Sequence, residues 1–323
     1  MFYQRGSKGA EVERIQAKLK ELGYYLGAVD GIFGGGTESA VKSYQKDKGL
    51  LVDGQVGDKT WRSLFPSEEI PQPEIATKPL GYRSLALTGS FETNAPVPEC
   101  FAGLSGDFDG QGISFGVLQW NFGQGSLQPL LTEMNERNPD VTKGIFHDRY
   151  DILIKVLSAP YTEQMEWIRS IQDPIKHVLF EPWKGLFKTL GRTTEFQNIQ
   201  TKYANSYYEL AKTWCKQYGL WSERAVALMF DIRVQNGGIS DLVRATIIRD
   251  FDQLEKSGTP FDKNALEVEK MKIIANRRAE ATNPQWFEDV RRRKLCCALG
   301  EGTVHGEHYD LDVQYGIGLH PFT

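Results

Sequence analysis

Between Thr193 and Gly219 the residues Phe196, Ile199, Tyr203, Tyr207, Leu210, Trp214 and Tyr218 fall at spacings of 3, 4, 4, 3, 4 and 4. That period lays one apolar stripe along a helix. An aromatic stripe of this kind is far more often core than binding surface. Residues 222–236, 239–256, 262–281 and 284–299 also read as helices, separated by Gly or Pro. Near the N-terminus Val12, Ile15, Leu19 and Leu22 follow spacings of 3, 4 and 3. Ala40, Val41 and Tyr44 mark a second helix there, and Trp61 with Leu64 a short third one. One segment breaks the helical period. Around 108–120, Ile113, Phe115, Val117 and Trp120 stand among glycines, which predicts a short hairpin or irregular turn. The expected fold class is mainly α.

The first 65 residues contain a repeat. Asp30-Gly31-Ile32-Phe33-Gly34-Gly35-Gly36-Thr37 recurs as Asp53-Gly54-Gln55-Val56-Gly57-Asp58-Lys59-Thr60, an offset of 23. Both copies read Asp-Gly-x-x-Gly-x-x-Thr. Asp-Gly makes a tight turn in which glycine accepts positive φ, and the threonine then caps the next helix. Residues 66–84 hold Pro66, Pro71, Pro73 and Pro79 among Ser, Glu and Lys. Such a stretch reads as an extended, fairly stiff tether. The expected organisation is a small three-helix domain at 1–65, a linker at 66–84 and a larger helical domain at 85–323.

A length of 323 residues suits about two domains. A composition 40% hydrophobic and 25% charged allows a large core without covalent staples. Residues 1–65 carry 10 Lys+Arg against 8 Asp+Glu, and the remainder 28 against 34. The net charge of −4 gives no sign of a nucleic-acid partner, which calls for a basic surface. No apolar run approaches the ~20 residues that span a bilayer, so no membrane partner is expected. The start Met1-Phe2-Tyr3-Gln4-Arg5-Gly6 has no signal-peptide pattern. Cys100, Cys215, Cys296 and Cys297 do not form a disulfide framework in a chain this long, and packing is the expected role of the adjacent pair.

The most chemically complete stretch begins at Glu92. Seventeen residues later Asp109 opens Asp109-Gly110-Gln111-Gly112-Ile113-Ser114-Phe115-Gly116. Inverting cleavage of a glycosidic bond uses this set of groups. A neutral carboxylic acid protonates the leaving oxygen, a carboxylate deprotonates a water, and a polar group holds that water. Beside Phe91, the Glu92 carboxyl is expected to be desolvated and so kept protonated, as an acid requires. Asp109 reads equally as an Asp-Gly turn of the kind used twice in the repeat. Asp107 competes with it for the role of base, and Glu99 less closely. The flanking glycines are expected to let the backbone approach a bulky polymer. Ser114 can orient a water or simply lie at a strand edge.

Two likenesses give these residues a context. Gly9, Val12, Leu19, Gly23, Asp30-Gly31, Phe33-Gly34, Thr37, Ala40-Val41, Gln45, Gly49-Leu50 and Asp53-Gly54 resemble the three-helix peptidoglycan-binding module of many cell-wall hydrolases. Tyr24, Tyr25 and Trp61 are candidates there for stacking on sugars, or equally for core. Glu92, the run from Asp109 to Gly116, and Val117-Leu118-Gln119 resemble the catalytic region of the lysozyme superfamily, with family 46 chitosanases and related phage lysins nearest. That resemblance implies Glu92 as acid, Asp109 as base and Ser114, in place of a threonine, as the holder of the water. Gln111 stands where the chitosanases usually have arginine, which argues against chitosan. Phe230-Asp231-Ile232-Arg233-Val234-Gln235-Asn236-Gly237-Gly238 is similar to a helix end in the same family. It implies a buried network in which Asp231 pairs with Arg278 or Arg293 and orients the cleft. Gln119, Trp120, Asn121, Gln235, Asn236 and Tyr315 are the candidates for sugar contacts.

These likenesses imply a lysozyme-like helical domain with a short β-hairpin at its cleft, joined to a small wall-binding domain. The expected activity is hydrolysis of the β-1,4 bonds of peptidoglycan by inversion, without metal or cofactor, by a monomer whose partner is the glycan strand. The expected site of action is the cell wall, reached from the cytoplasm through a holin if the chain is phage-encoded. A lytic transglycosylase, a chitosanase, and a zinc amidase or endopeptidase remain alternatives. The last would draw on His305-Gly306-Glu307-His308 with Asp310 and Asp312, although no His-Glu-x-x-His is present.

Overall fold

In the computed structural model the described residues are 3–5, 7–66, 68, 71 and 74–322, with the backbone alone for Asp58. Met1, Phe2 and Gly6 of the N-terminal stretch and Ser67, Glu69, Ile70, Gln72 and Pro73 of the proline-rich stretch lie outside them, as does Thr323. The fold is mainly helical. Helices α1 (Ala10–Glu21), α2 (Gly35–Asp47) and α3 (Asp58–Leu64) form the N-terminal module, and α4 (Leu80–Thr93) follows. Short strands β1 (Leu104–Ser105), β2 (Ser114–Phe115) and β3 (Trp120–Asn121) come next. Then come α5 (Gln128–Arg137), α6 (Pro139–Phe146), α7 (Tyr150–Leu157), α8 (Tyr161–Ser170), α9 (Trp183–Arg192) and α10 (Thr194–Gln217). The chain ends with α11 (Glu223–Asn236), α12 (Asp241–Lys256), α13 (Lys263–Glu280), α14 (Phe287–Leu299), the hairpin β4 (Glu301–Val304) and β5 (Glu307–Asp310), and α15 (Leu311–Tyr315).

The chain forms two compact units. One comprises the residues up to Arg83, Trp214–Ile232 and Gly238 onward, and the other Ser84–Thr213 with Arg233–Gly237. Composition draws borders at 65 and 84, whereas packing groups the module with the C-terminal helices. The stretch after residue 65 also differs from a plain extended tether. It contains a 3-10 turn at Glu74–Thr77, and α4 starts within it at Leu80. Leu80 and Tyr82 are buried there, which gives the chain an apolar reason to coil. Tyr3 Oη donates to Pro71 O at 2.6 Å, and Arg14 pairs with Glu68 at 2.7 Å. Arg83 grips Glu223 with two bonds of 2.6 and 3.1 Å.

The repeat in the module has a physical reason. Gln16 of α1 accepts at Oε1 from the amides of Asp30 and Gly31, and its Nε2 donates to Asp30 Oδ1, Ile32 O and Thr37 Oγ1. Gln45 of α2 does the same for the second copy, accepting from Gly54 N and donating to Asp53 Oδ1, Gln55 O and Thr60 Oγ1. Each copy is thus a turn whose inward polar groups are satisfied by one helix-borne amide, which an otherwise dry core requires. Around them pack Val12, Ile15, Leu19, Phe33, Val41, Tyr44, Val56 and Trp61. Trp61 and Tyr25 are buried and belong to this core rather than to a sugar platform. Tyr24 is half-buried and donates to Asp47 at 3.1 Å.

In the same unit as the C-terminal helices, Asp231 is fully buried on α11. Arg293 Nη2 donates to its Oδ1 at 2.6 Å, and Lys294 Nζ binds Oδ2. The expected Arg293 partner is present, and Lys294 joins it without having been anticipated. Arg278, the other expected partner, donates its Nε to Gly238 O at 3.0 Å. Burial pushes the Asp231 carboxyl up, but the two cations outweigh it and hold the group at about 2. One carboxylate cannot balance two cations, so burial and the Arg293 charge push Lys294 down to about 8 against the pull of Asp231. Glu267 of α13 accepts from Trp221 N, Ser222 N and Ser222 Oγ, which fixes the chain just before α11.

Removing the shared anion leaves two buried cations uncompensated. Asp231→Asn is therefore expected to lower the unfolding free energy by about 3–5 kcal/mol in a urea titration. Because the folded-state value of Asp231 is depressed, its contribution is present above the unfolded value near 3.8 and is lost as the pH falls through about 2. The acid limb of a stability–pH curve should flatten over that window in the Asn variant.

Candidate active site

Glu92 occupies the last turn of α4. The helix stops because Asn94 adopts a left-handed φ of 52° and Pro96 follows closely. Phe91 is fully buried while Glu92 is exposed, so the desolvation expected of the Glu92 carboxyl beside Phe91 is not found. The turn bearing Glu92 is seated by residues on either side of it. A Cβ on Gly89 would lie 2.1 Å from Val117 Cγ2, so helix backbone touches the turn between β2 and β3 directly. Thr93 Cγ2 would lie 3.1 Å from a Cβ on Gly103, just before β1.

The expected hairpin is a three-stranded antiparallel meander in the order β1-β2-β3. Its registers align Ser105, Ser114 and Asn121 in one row and Leu104, Phe115 and Trp120 in the next. Neighbouring rows face opposite sides of a sheet. Phe115 is fully buried and stacks on Phe196 of α10 at 5.4 Å, so the polar row carrying Ser114 lies on the other face. Ser105, which the sequence did not single out, belongs to that row, and its Oγ donates to Gln119 Oε1 at 2.8 Å.

The loop from β1 to β2 separates the competing carboxylates. Asp107 is built into the fold. Its Oδ1 accepts from Gly112 N at 2.9 Å, its Oδ2 lies 3.8 Å from Arg169 Nε, and its own amide donates to Gln172 Oε1 at 2.9 Å. Asp109 is exposed, and its Oδ1 accepts only the local Gln111 amide at 3.1 Å among the hydrogen bonds found for it. Glu99 is held by Arg192 through bonds of 2.6 and 2.9 Å, and this pairing keeps its carboxyl below the usual range. Of the three, Asp109 is the carboxylate presented to solvent with its second oxygen uncommitted.

The glycines of the loop do different work from that expected. Gly112, at φ 76°, would place a Cβ 3.1 Å from Ile168 Cγ2 on α8, and Gly116, at φ 86°, one 2.6 Å from Gln200 Oε1 on α10. Both let the loop close on the protein itself. Gly110, at φ 82°, has nothing within 4 Å and alone leaves open space above it. Gln200 was missed in the sequence. It is fully buried, accepts from Val117 N at 2.8 Å and donates to Phe101 O at 3.0 Å. It thereby ties the turn next to Gly89 and the residues before β1 to α10. The glutamine falls one residue from Ile199 in the apolar stripe, and a polar residue at a core-facing position was the available signal.

The remaining candidates divide by what their polar groups already do. Gln119, at φ 54°, donates to Gly116 O and Gly103 O and accepts from Ser105, so most of its amide is spent inside the sheet. Asn121 is buried, and its Oδ1 accepts from Gln124 N at 2.8 Å. Trp120 is half-buried against the core of its unit. Gln235 and Asn236 are half-buried at the end of α11, and Tyr315 is buried in α15. His305 and Gly306 form the tight turn of the β4–β5 hairpin, and the His305 ring lies 2.5 Å from Asp289 Oδ1. His308 lies 3.4 Å from Gln4 Nε2. Among the described residues no group of three or more His, Cys, Asp or Glu is gathered as a metal site. None of the described helices is long and apolar enough to cross a membrane. All four cysteines are buried free thiols.

Residues 8–64 match the family described as a putative peptidoglycan binding domain. Over 61 residues the chain is 48% identical to the spore cortex-lytic enzyme of Bacillus cereus, covering 19% of this chain and 24% of that one. Over 67 residues it is 45% identical to N-acetylmuramoyl-L-alanine amidase CwlM of Mycobacterium tuberculosis, covering 20% and 16%. The chain therefore spans less than a quarter of the length of these relatives. A GH46 chitosanase of Gynuella sunshinyii, solved with chitotetraose, is similar in structure, with a TM-score of 0.43 and 14% identity over 72% of this chain and 97% of that one.

The amide clamp at Gln200 is open to a direct measurement. Gln200→Leu keeps volume but strands the Val117 amide and the Phe101 carbonyl in the core. An unfolding free energy lower by about 2–4 kcal/mol is expected in urea, with faster hydrogen exchange at the Val117 amide.

Proposed function

We propose that this chain is a bacterial cell-wall lytic enzyme: a glycosidase that hydrolyses peptidoglycan, carried to its polymer by the module at residues 8–64. The observation that supports it most is the sorting of carboxylates beside the small sheet. Asp107 and Glu99 are held by partners within the fold, whereas Asp109 is exposed with one oxygen on a local amide, and Glu92 is exposed at the end of α4. The match of residues 8–64 supplies the polymer. A module that keeps the enzyme on an insoluble substrate raises the local concentration of cleavable bonds for the rest of the chain.

The bond we assign is the β-1,4 linkage between N-acetylmuramic acid and N-acetylglucosamine. Glu92 protonates the leaving oxygen as positive charge grows on the sugar ring. Asp109 takes a proton from a water on the opposite face, with Ser114 in the adjacent polar row orienting that water, and the anomeric configuration inverts. Seating the acid on a helix end pinned at Gly89 and Gly103 holds it still relative to the sheet, which is how positioning lowers a barrier. The chain needs no redox or group-transfer chemistry for this reaction, and its partner is the glycan strand of the wall.

Glu92→Gln and Asp109→Asn are each expected to cut the clearing rate of purified sacculi by about 10²–10⁴-fold. Asp107→Asn keeps an oxygen for the Gly112 amide and should retain most activity. Mass spectrometry of the digest should find reducing-end muramic acid. An anhydromuramyl product, or full activity in Glu92→Gln, would overturn the assignment.

A further inference from the structure

Arg224 stands in the first turn of α11, and only 9% of its surface is exposed. Two other arginines are as deeply buried, and each holds a carboxylate: Arg83 grips Glu223, and Arg293 binds Asp231. Arg224 does not. Its Nη2 donates to Ala298 O, its Nε is buried without a partner, and among the described residues it forms no ion pair. The guanidinium lies flat on backbone, since a Cβ on Gly300 would stand 2.8 Å from Nη1 and 3.1 Å from Cζ. Burial pulls Arg224 below its ordinary value. An arginine nevertheless keeps its charge, and a buried charge is costly until it is paired. The nearby carboxylates leave that need unmet. Glu267 already takes three donors on one oxygen, and Asp312 acts on Arg224 only through space.

Arg224 lines a cavity of about 430 Å³, which falls wholly within its own unit. That is a usual size for a small-ligand site. Leu299 and Ile317 supply apolar wall, and Glu301, Asp310 and Asp312 supply carboxylates. His320 is the remaining ionisable residue of the lining. Asp310 is already engaged, accepting from Val313 N at 3.0 Å and Gln4 Nε2 at 3.3 Å. Glu301 and Asp312 are exposed. Asp312 Oδ1 would lie 3.4 Å from a Cβ on Gly318, whose carbonyl accepts the Arg224 amide at 3.3 Å. One buried cation therefore faces the same cavity as a set of acids. A simple anion drawn to Arg224 would meet those acids, and a simple cation drawn to the acids would meet Arg224. A group bearing both signs on neighbouring atoms satisfies both, and the planar guanidinium suits a carboxylate in particular. We propose that this cavity binds the free α-amino-acid end of a wall peptide, with the carboxylate on Arg224 and the ammonium toward Asp312 and Glu301. The inference rests on the cell-wall reading for the source of that group, and it adds a peptide subsite to the glycan chemistry. Peptides that carry diaminopimelate present such an end, an ammonium and a carboxylate on one carbon.

The test titrates the full chain calorimetrically with meso-diaminopimelate and with the tripeptide L-alanyl-γ-D-glutamyl-meso-diaminopimelate. Pimelate, which lacks the ammoniums, and 1,5-diaminopentane, which lacks the carboxylates, serve as single-sign controls. Both zwitterionic probes should bind, and each control should bind at least about tenfold more weakly. Arg224→Gln should weaken the zwitterions about 10–100-fold. Glutamine keeps a donor for Ala298 O and removes an unbalanced charge, so the melting temperature should not fall. Asp312→Asn, at an exposed position, should weaken diaminopimelate about fivefold and leave pimelate no weaker; it carries the test if the Arg224 variant fails to fold. A control binding as tightly as diaminopimelate, no binding of either zwitterion, binding of free diaminopimelate without the tripeptide, or indifference to both substitutions would overturn the inference. Release of reducing ends from sacculi is measured separately. A chain that releases them but binds no zwitterion loses only the peptide subsite. A chain that binds through Arg224 yet releases none refutes the glycosidase reading and leaves the cavity its ligand.

Discussion

The carboxamide of Gln200 is the contact on which the candidate site depends. An irregular loop folded onto a helical core brings backbone N–H and C=O groups away from water, and each must find a partner. One side chain on α10 supplies an acceptor for Val117, after β2, and a donor for Phe101, before β1. The same solution recurs. Gln16 and Gln45 brace the two turns of the N-terminal module, and Gln172 receives the Asp107 amide. A glutamine suits this work because it reaches far from its helix and carries two donors and an acceptor on one planar group.

Carboxylates in this chain are divided between building and display. Asp231 anchors two buried cations, Glu267 collects three donors before α11, Asp107 closes the loop over Gly112, and Glu99 is clasped by Arg192. Around the sheet Glu92 and Asp109 are exposed, and Asp107 braces the loop that carries Asp109.

Helices and turns were legible in the sequence where the signal is local. The apolar period across Phe196 to Tyr218 gives α10, and the Asp-Gly-x-x-Gly-x-x-Thr copies give the two turns, although Thr37 and Thr60 accept from Gln16 and Gln45 rather than cap helices whose N-caps are Gly34 and Gly57. What the sequence hid were partners made by long closure. Val117 and Gln200 are 83 residues apart, and Asp231 and Lys294 63. Strand β1 is two residues long, too short to carry a period. Trp61 and Tyr25 look alike in sequence whether they line a core or greet a sugar, because aromatic rings serve both. The spacing that drew attention to Glu92 and Asp109 is a local property of the chain. The choice between Asp107 and Asp109 became physical only when the partners of Asp107 could be seen.

The clamp at Gln200 is electrically neutral. An ion pair in its place would loosen whenever one partner changed its charge, and would weaken in salt. An amide keeps the same donors and acceptor from acid to alkali. The position of the turn beside Glu92 is therefore decoupled from the protonation of the carboxyls it helps to hold. A change of charge at Glu92 or Asp109 therefore leaves the donors and acceptor of this clamp unaltered.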